Sequence, residues 1–176
     1  MGSAPRLCFV GDSLIEYYDW QARFPGASVL NLGVAGETAS ELLARIALFG
    51  GKSLQADGVI LMTGTNDLLM GEEFLPVYTK IVARLQQALP EAICLANGIM
   101  PMDLPWLAPN LIARTNARLE ELALRHKIGY LDGCRLLPGS AARHLCFLDD
   151  GVHLSPQGYA LWSAAIENYL RTTGCI

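Results

Sequence analysis

No uninterrupted apolar run in this chain approaches the roughly 20 residues that a bilayer-spanning helix needs, so no integral membrane segment is expected. The amino terminus offers only Leu7–Val10 as an apolar stretch, after Arg6, which is too short for a secretion signal. Arg6 also breaks the acylation pattern that Gly2 begins. A cytoplasmic protein is the simplest reading, although Met1-Gly2-Ser3 would also fit an artificial leader, which leaves a secreted protein open. Five cysteines, at 8, 94, 134, 146 and 175, make an odd set with no CxxC pair and no metal-ligand spacing. They read as buried thiols, and no metal is expected. Thirteen basic residues are scattered singly against seventeen acidic ones, for a net charge of -4, so the basic stripe a nucleic acid would require is missing. Charge is sparse altogether, at 17% against 52% hydrophobic residues, which excludes a disordered chain. Repeats, low-complexity tracts and linkers are absent too, and 176 residues suffice for one domain, 1–176, with a substantial core.

What the chain does have is alternation. Short apolar runs at Leu7–Val10, Ser28–Leu32, Val59–Thr63, Ile93–Ala96 and Ile128–Leu131 read as strands covered on both faces. Between them, Glu41–Phe49 follows a Thr38-to-Glu41 capping box, and Val77–Leu89 carries one apolar face. A third helix runs through Leu111, Ile112, Thr115, Leu119 and Leu122, and a last one begins at Ser155-Pro156. The segment Asn97–Asn110 is the longest irregular stretch. This pattern predicts a three-layer α/β/α fold on a five-stranded parallel sheet of order 2-1-3-4-5. Such an order sets the carboxyl ends of strands 2, 1 and 3 side by side, where open sheets bind ligands.

Ser13 follows the first strand and would open a helical turn at that edge. A serine hydroxyl needs a base, usually a histidine oriented by a carboxylate, to become a nucleophile. Of three histidines, His126 falls late in a helix and His144 has no evident acid. His153, in Asp149-Asp150-Gly151-Val152-His153, lies in a loop that could fold over the sheet edge. Asp150 is the favoured orienting acid, with Asp149 and Asp132 as alternatives. Donors for a developing oxyanion are expected from the N–H groups of Ser13 and Gly33 and the side-chain amide of Asn66. Asp12 and Asp67 read as structural acids bonding loop amides, and Gly36 as a turn residue before Thr38. Gly51-Lys52-Ser53 is no phosphate loop, because Ile46 stands where its glycine belongs and a helix, not a strand, precedes it. Ile15 likewise excludes the G-x-S-x-G elbow.

Phe9-Val10-Gly11-Asp12-Ser13-Leu14, Asn31-Leu32-Gly33, Gly64-Thr65-Asn66-Asp67 and Asp150-Gly151-Val152-His153 together resemble, in order, the four sequence blocks of the SGNH/GDSL lipase and acylhydrolase family. The resemblance spans almost the whole chain. It implies a flavodoxin-like fold, a triad of Ser13, His153 and Asp150, an oxyanion hole from Ser13, Gly33 and Asn66, and no cofactor. A serine esterase acting on a small-molecule ester, carboxylic or thio, is therefore expected. A carbohydrate O-deacetylase and a non-catalytic binding module of the same fold are the rivals. Leu14, Ile15, Tyr17, Leu68, Leu69, Met70 and the Met100–Leu107 loop, with Met100 and Trp106, are candidate walls of an apolar acyl site. Little inserted sequence argues for an open site and for small or medium acyl groups. A homo-oligomer is left open.

Overall fold

The computed structural model describes residues 3–48, 54–102, 104–108, 110–137, 142 and 144–176. Its strands, β1 (Arg6–Gly11), β2 (Ser28–Gly33), β3 (Gly58–Met62), β4 (Ile93–Asn97) and β5 (Gly129–Leu131), form one parallel sheet in the order β2-β1-β3-β4-β5. That is the expected three-layer α/β arrangement, in the expected order.

The period-2 geometry of a strand divides the two central strands between two cores. Cys8, Val10, Val59 and Leu61 point to one face, against α3 (Ala39–Ile46), α5 (Leu75–Ala88) and α6 (Leu111–His126). Leu7, Phe9, Ile60 and Met62 point to the other, where Trp20 and the last helix, α8 (Pro156–Thr172), supply Trp162 and Ile166. Each such buried side chain stabilises the fold by about 1.5–3 kcal/mol relative to exposure. Between β1 and β2 lie α1 (Ser13–Glu16) and α2 (Trp20–Arg23); α4 (Thr65–Met70) follows β3, and α7 (Gly133–Leu136) follows β5.

Local chemistry starts the helices where expected. Thr38 and Glu41 form the reciprocal capping box of α3, and Ser155 caps α8 by accepting from Gly158 N–H at 3.2 Å. Helix α3 closes at Ile46, short of the expected Phe49; that residue and Gly51-Lys52-Ser53 lie outside the described residues.

Two expectations need correction. Strand β2 is not covered on both faces: it is one of the two edge strands, and Leu30 is 43% exposed. Val34 N–H reaches back to Gly11 O at 2.9 Å, so alternate amides must face the free edge. Two of them are occupied by side chains, Val29 N–H by Gln21 Oε1 (3.1 Å) and Gly33 N–H by Asn31 Oδ1 (2.9 Å). Of the cysteines, Cys8 and Cys146 are buried, but Cys94, Cys134 and Cys175 are only partly so; none forms a disulfide. Among the described residues no helix is long and apolar enough to cross a membrane.

Candidate active site

At the carboxyl end of β1 the chain turns sharply into α1. Asp12 is the N-cap, its Oδ1 accepting Leu14 N–H at 3.1 Å, and Ser13 opens the helix. Four residues of helix have little stability of their own. Helix α1 is instead pinned from outside: Tyr159 hydroxyl donates to Leu14 O (3.0 Å), and both Trp20 Nε1 (2.8 Å) and Asn31 Nδ2 (3.1 Å) donate to Ile15 O. The nucleophile candidate thus rides on a rigid turn.

His153 arrives from the far end of the chain on a tight loop. Phe147 and Leu154 form an antiparallel bridge, Leu148 N–H donates to His153 O at 2.8 Å, and Gly151 turns with a φ of 68°. Within that loop Asp150 Oδ1 accepts both Val152 N–H and His153 N–H at 2.9 Å, while Asp150 Oδ2 lies 2.6 Å from His153 Nδ1. His153 Nε2 lies 2.9 Å from Ser13 Oγ. Acid, imidazole and hydroxyl therefore stand in one hydrogen-bonded line. Burial pulls the Asp150 carboxyl upward, but the bonds from His153 and the two loop amides outweigh it and hold the acid below its ordinary range. The Tyr17 ring packs on the His153 imidazole with centroids 5.4 Å apart.

The alternatives are spent elsewhere. Asp132 caps α7 through Cys134 N–H and accepts from Asn116 Nδ2, both at 2.9 Å. His126 ends α6 with Nδ1 3.3 Å from Gln86 Oε1, and His144 sits exposed on a short 3-10 turn. Asp149 is exposed and joins no bond of this line among the described residues.

Two acids take up the structural tasks expected of them. Both oxygens of Asp67 accept Ala39 N–H (3.2 and 3.0 Å), tying α4 to the start of α3. Asp12 is wholly buried, and burial pushes its carboxyl up to about 6 against the opposing influence of Leu14 N–H, the Thr65 hydroxyl and His153. Asp12 Oδ2 and Thr65 Oγ1 are left without a well-formed hydrogen bond among the described residues.

The donor set differs from expectation at one position. Gly33 N–H points to the outer edge of β2 and is engaged by Asn31 Oδ1. Glycine is required there for packing, since a Cβ would fall 2.3 Å from Glu16 N. Asn66 does reach the region: its Nδ2 donates one N–H to Glu37 O at 3.0 Å and keeps a second to offer. Beside Glu37 sits Gly36, with a φ of 77°. Among the described residues the N–H groups of Ser13 and Gly36 donate to nothing. A glycine at a left-handed turn, one residue before the carbonyl that anchors Asn66, was the available signal for this position.

The expected acyl walls divide. Leu14 and Met100, each 1% exposed, and Leu68 at 7% lie in the two cores, which leaves them almost no surface for a substrate. Trp106 is 64% exposed and Tyr17 59%. A cavity of about 1020 Å³ lies at the opposite, amino end of the strands, lined by Phe24, Asp57, Glu167 and Arg171 among others and remote from Ser13.

The GDSL-like Lipase/Acylhydrolase family model matches residues 9–161 of this chain. Human platelet-activating factor acetylhydrolase IB subunit alpha2 is 26% identical over 170 residues, covering 89% of this chain and 72% of that protein. The rat alpha1 subunit is 26% identical over 179 residues, covering 94% and 75%. Among solved structures, a Streptococcus pneumonia protein described as a platelet activating factor superposes with a TM-score of 0.82 at 26% identity, covering 96% of this chain and 85% of that one. AlinE4, an SGNH-hydrolase family esterase, shares the fold at a TM-score of 0.67 and 20% identity, covering 98% of each chain.

Proposed function

We propose, from the premise that this chain belongs to the GDSL-like lipase/acylhydrolase family, that it hydrolyses small acyl esters through a Ser13 acyl-enzyme. The observation that carries this reading is the unbroken line from Asp150 Oδ2 through His153 to Ser13 Oγ, at 2.6 and 2.9 Å. His153 Nε2 takes the Ser13 proton as the hydroxyl attacks the ester carbonyl. Asp150 fixes the tautomer that makes Nε2 the acceptor and stabilises the imidazolium that forms. The same imidazolium protonates the leaving alcohol. A water activated by His153 then releases the acid and frees Ser13.

Negative charge on the tetrahedral intermediate is met by the Ser13 N–H, the free N–H of Asn66 and the Gly36 N–H. Gly36 replaces Gly33 in this assignment because its amide is uncommitted. An acetyl or similarly short acyl group fits a site where Leu14, Leu68 and Met100 are absorbed into the cores and Met70 stays exposed, and the curated relatives are acetylhydrolases by name. A fluorophosphonate should label the wild type and not Ser13→Ala, and nitrophenyl acetate should be cleaved faster than the dodecanoyl ester. A folded wild type that takes no label would sink the assignment.

A further inference from the structure

Glu16, the last residue of α1, belongs to none of the groups just assigned. Its carboxylate is exposed and forms no ion pair among the described residues. It nevertheless makes a short bond across the site: Glu16 Oε2 accepts Ala35 N–H at 2.6 Å. Hydrogen bonds to an ionised acceptor are the shorter and stronger kind. The loop gripped in this way is the one that carries Gly36. Its start is tied by Val34 N–H to Gly11 O (2.9 Å), and Glu37 N–H closes a turn onto Val34 O (3.2 Å). Its end is tied by Asn66 Nδ2 to Glu37 O. With Ala35 N–H fixed on one side and Glu37 O on the other, the intervening peptide that bears the Gly36 N–H has little freedom to rotate.

The base from which Glu16 reaches is equally fixed. Glu16 N–H donates to Asp12 O at 3.0 Å, and Asn31 Nδ2 lies 3.4 Å from Glu16 O. Gly33 packs closely against Glu16 N, leaving no room for a side chain between the two segments. We propose that Glu16 is a positioning residue of the oxyanion hole, holding Ala35 N–H so that the Gly36 N–H faces the oxygen that gains charge when Ser13 attacks. This inference rests on the esterase reading above.

Glu16→Ala and Glu16→Gln separate the two ideas. Losing an oxyanion donor outright lowers kcat by about 10²–10³, and loosening one should lower it by about 10-fold or more. Glu16→Ala should therefore lower kcat by that amount with KM changed less than about twofold, the pattern of an interaction made only in the transition state. Glu16→Gln, whose amide oxygen still accepts from Ala35 N–H, should recover kcat to within about threefold of wild type. Affinity for a tetrahedral boronate should fall in step with kcat, while thermal unfolding stays unchanged. If the wild type cleaves esters and takes the fluorophosphonate but Glu16→Ala keeps full kcat, the role given to Glu16 is wrong and the esterase reading survives. A Gln variant no better than Ala, or a loss confined to KM, also overturns it. A wild type that neither labels nor turns over overturns the esterase reading itself.

Discussion

Replacing Asp12 by Asn removes a carboxylate that the fold keeps wholly out of water, one residue before the proposed nucleophile. Asn keeps an oxygen for Leu14 N–H and can donate its amide toward Thr65, so the cap of α1 should persist. What changes is ionisation. Burial pushes the Asp12 carboxyl up to about 6; the Leu14 amide, the Thr65 hydroxyl and His153 oppose this, and Asp67 adds to it. In the unfolded chain an aspartate titrates near 3.9. Between those two values the folded protein keeps its proton while the unfolded chain has lost it, so stability falls as pH rises. The fall is about 1.4 kcal/mol per pH unit, or about 3 kcal/mol across the window. This contribution is fully present below pH ~4 and gone above pH ~6.

The assay is urea unfolding of wild type and Asp12→Asn at intervals from pH 4 to 7.5. The stability of Asp12→Asn relative to wild type should rise by about 3 kcal/mol across the range, because titrating groups that do not interact with Asp12 cancel in the difference. Repeating the pair in a His153→Gln background removes the imidazole charge that faces Asp12 and should raise the upper end of the window. A constant difference between the two proteins across the whole range would refute the claim that burial governs this carboxyl.

Asp150→Asn should lower kcat by roughly 10²–10⁴ with labelling by fluorophosphonate slowed in parallel, since the imidazole loses the partner that sets its tautomer. Because Asp150 is largely ionised in the fold, activity that depends on it should fade as pH drops through the acid range, on top of the protonation of the base itself. Gly33→Ala should destabilise by about 1–3 kcal/mol, measured by thermal unfolding, because the new Cβ would strike the Glu16 backbone and one of the two segments must shift. Gly36→Ala meets open space but carries a φ of 77°, so it should stay folded at a cost of about 1 kcal/mol and show its main effect in kcat.

All five strands and the four principal helices could be read from the sequence, because β3 and the Leu7–Val10 stretch of β1 are apolar throughout and Thr38 and Ser155 announce their helices chemically. The gathering of Ser13, His153 and Asp150 into one hydrogen-bonded line, with Asn66 near by, was legible for a related reason: each follows a strand end or sits in a turn whose residues have few other uses. What escaped was directional. Whether the Gly33 N–H faces Ser13 or the outer edge depends on which alternate amides pair with β1, and a one-residue change of register would reverse it. The same applies to Leu14, Met100 and Leu68, whose apolar character suits a pocket wall and a core equally until the facing layer is known. Exposure of β2, by contrast, was implicit in the expected strand order, which already put it at the end of the sheet, whereas its apolar composition suggested cover on both faces.

That outer strand has a consequence for how copies of the protein meet. An edge strand with open amides invites another strand to add to it, the usual start of runaway sheet growth. Here Gln21 and Asn31 occupy amides that an incoming strand would need. Asn31 also anchors Ile15, so a strand that displaced it would loosen the segment carrying Ser13. Polymerisation along this edge would therefore remove one of the anchors of the turn that carries Ser13, so the same asparagine ties the edge of the sheet to the order of that turn.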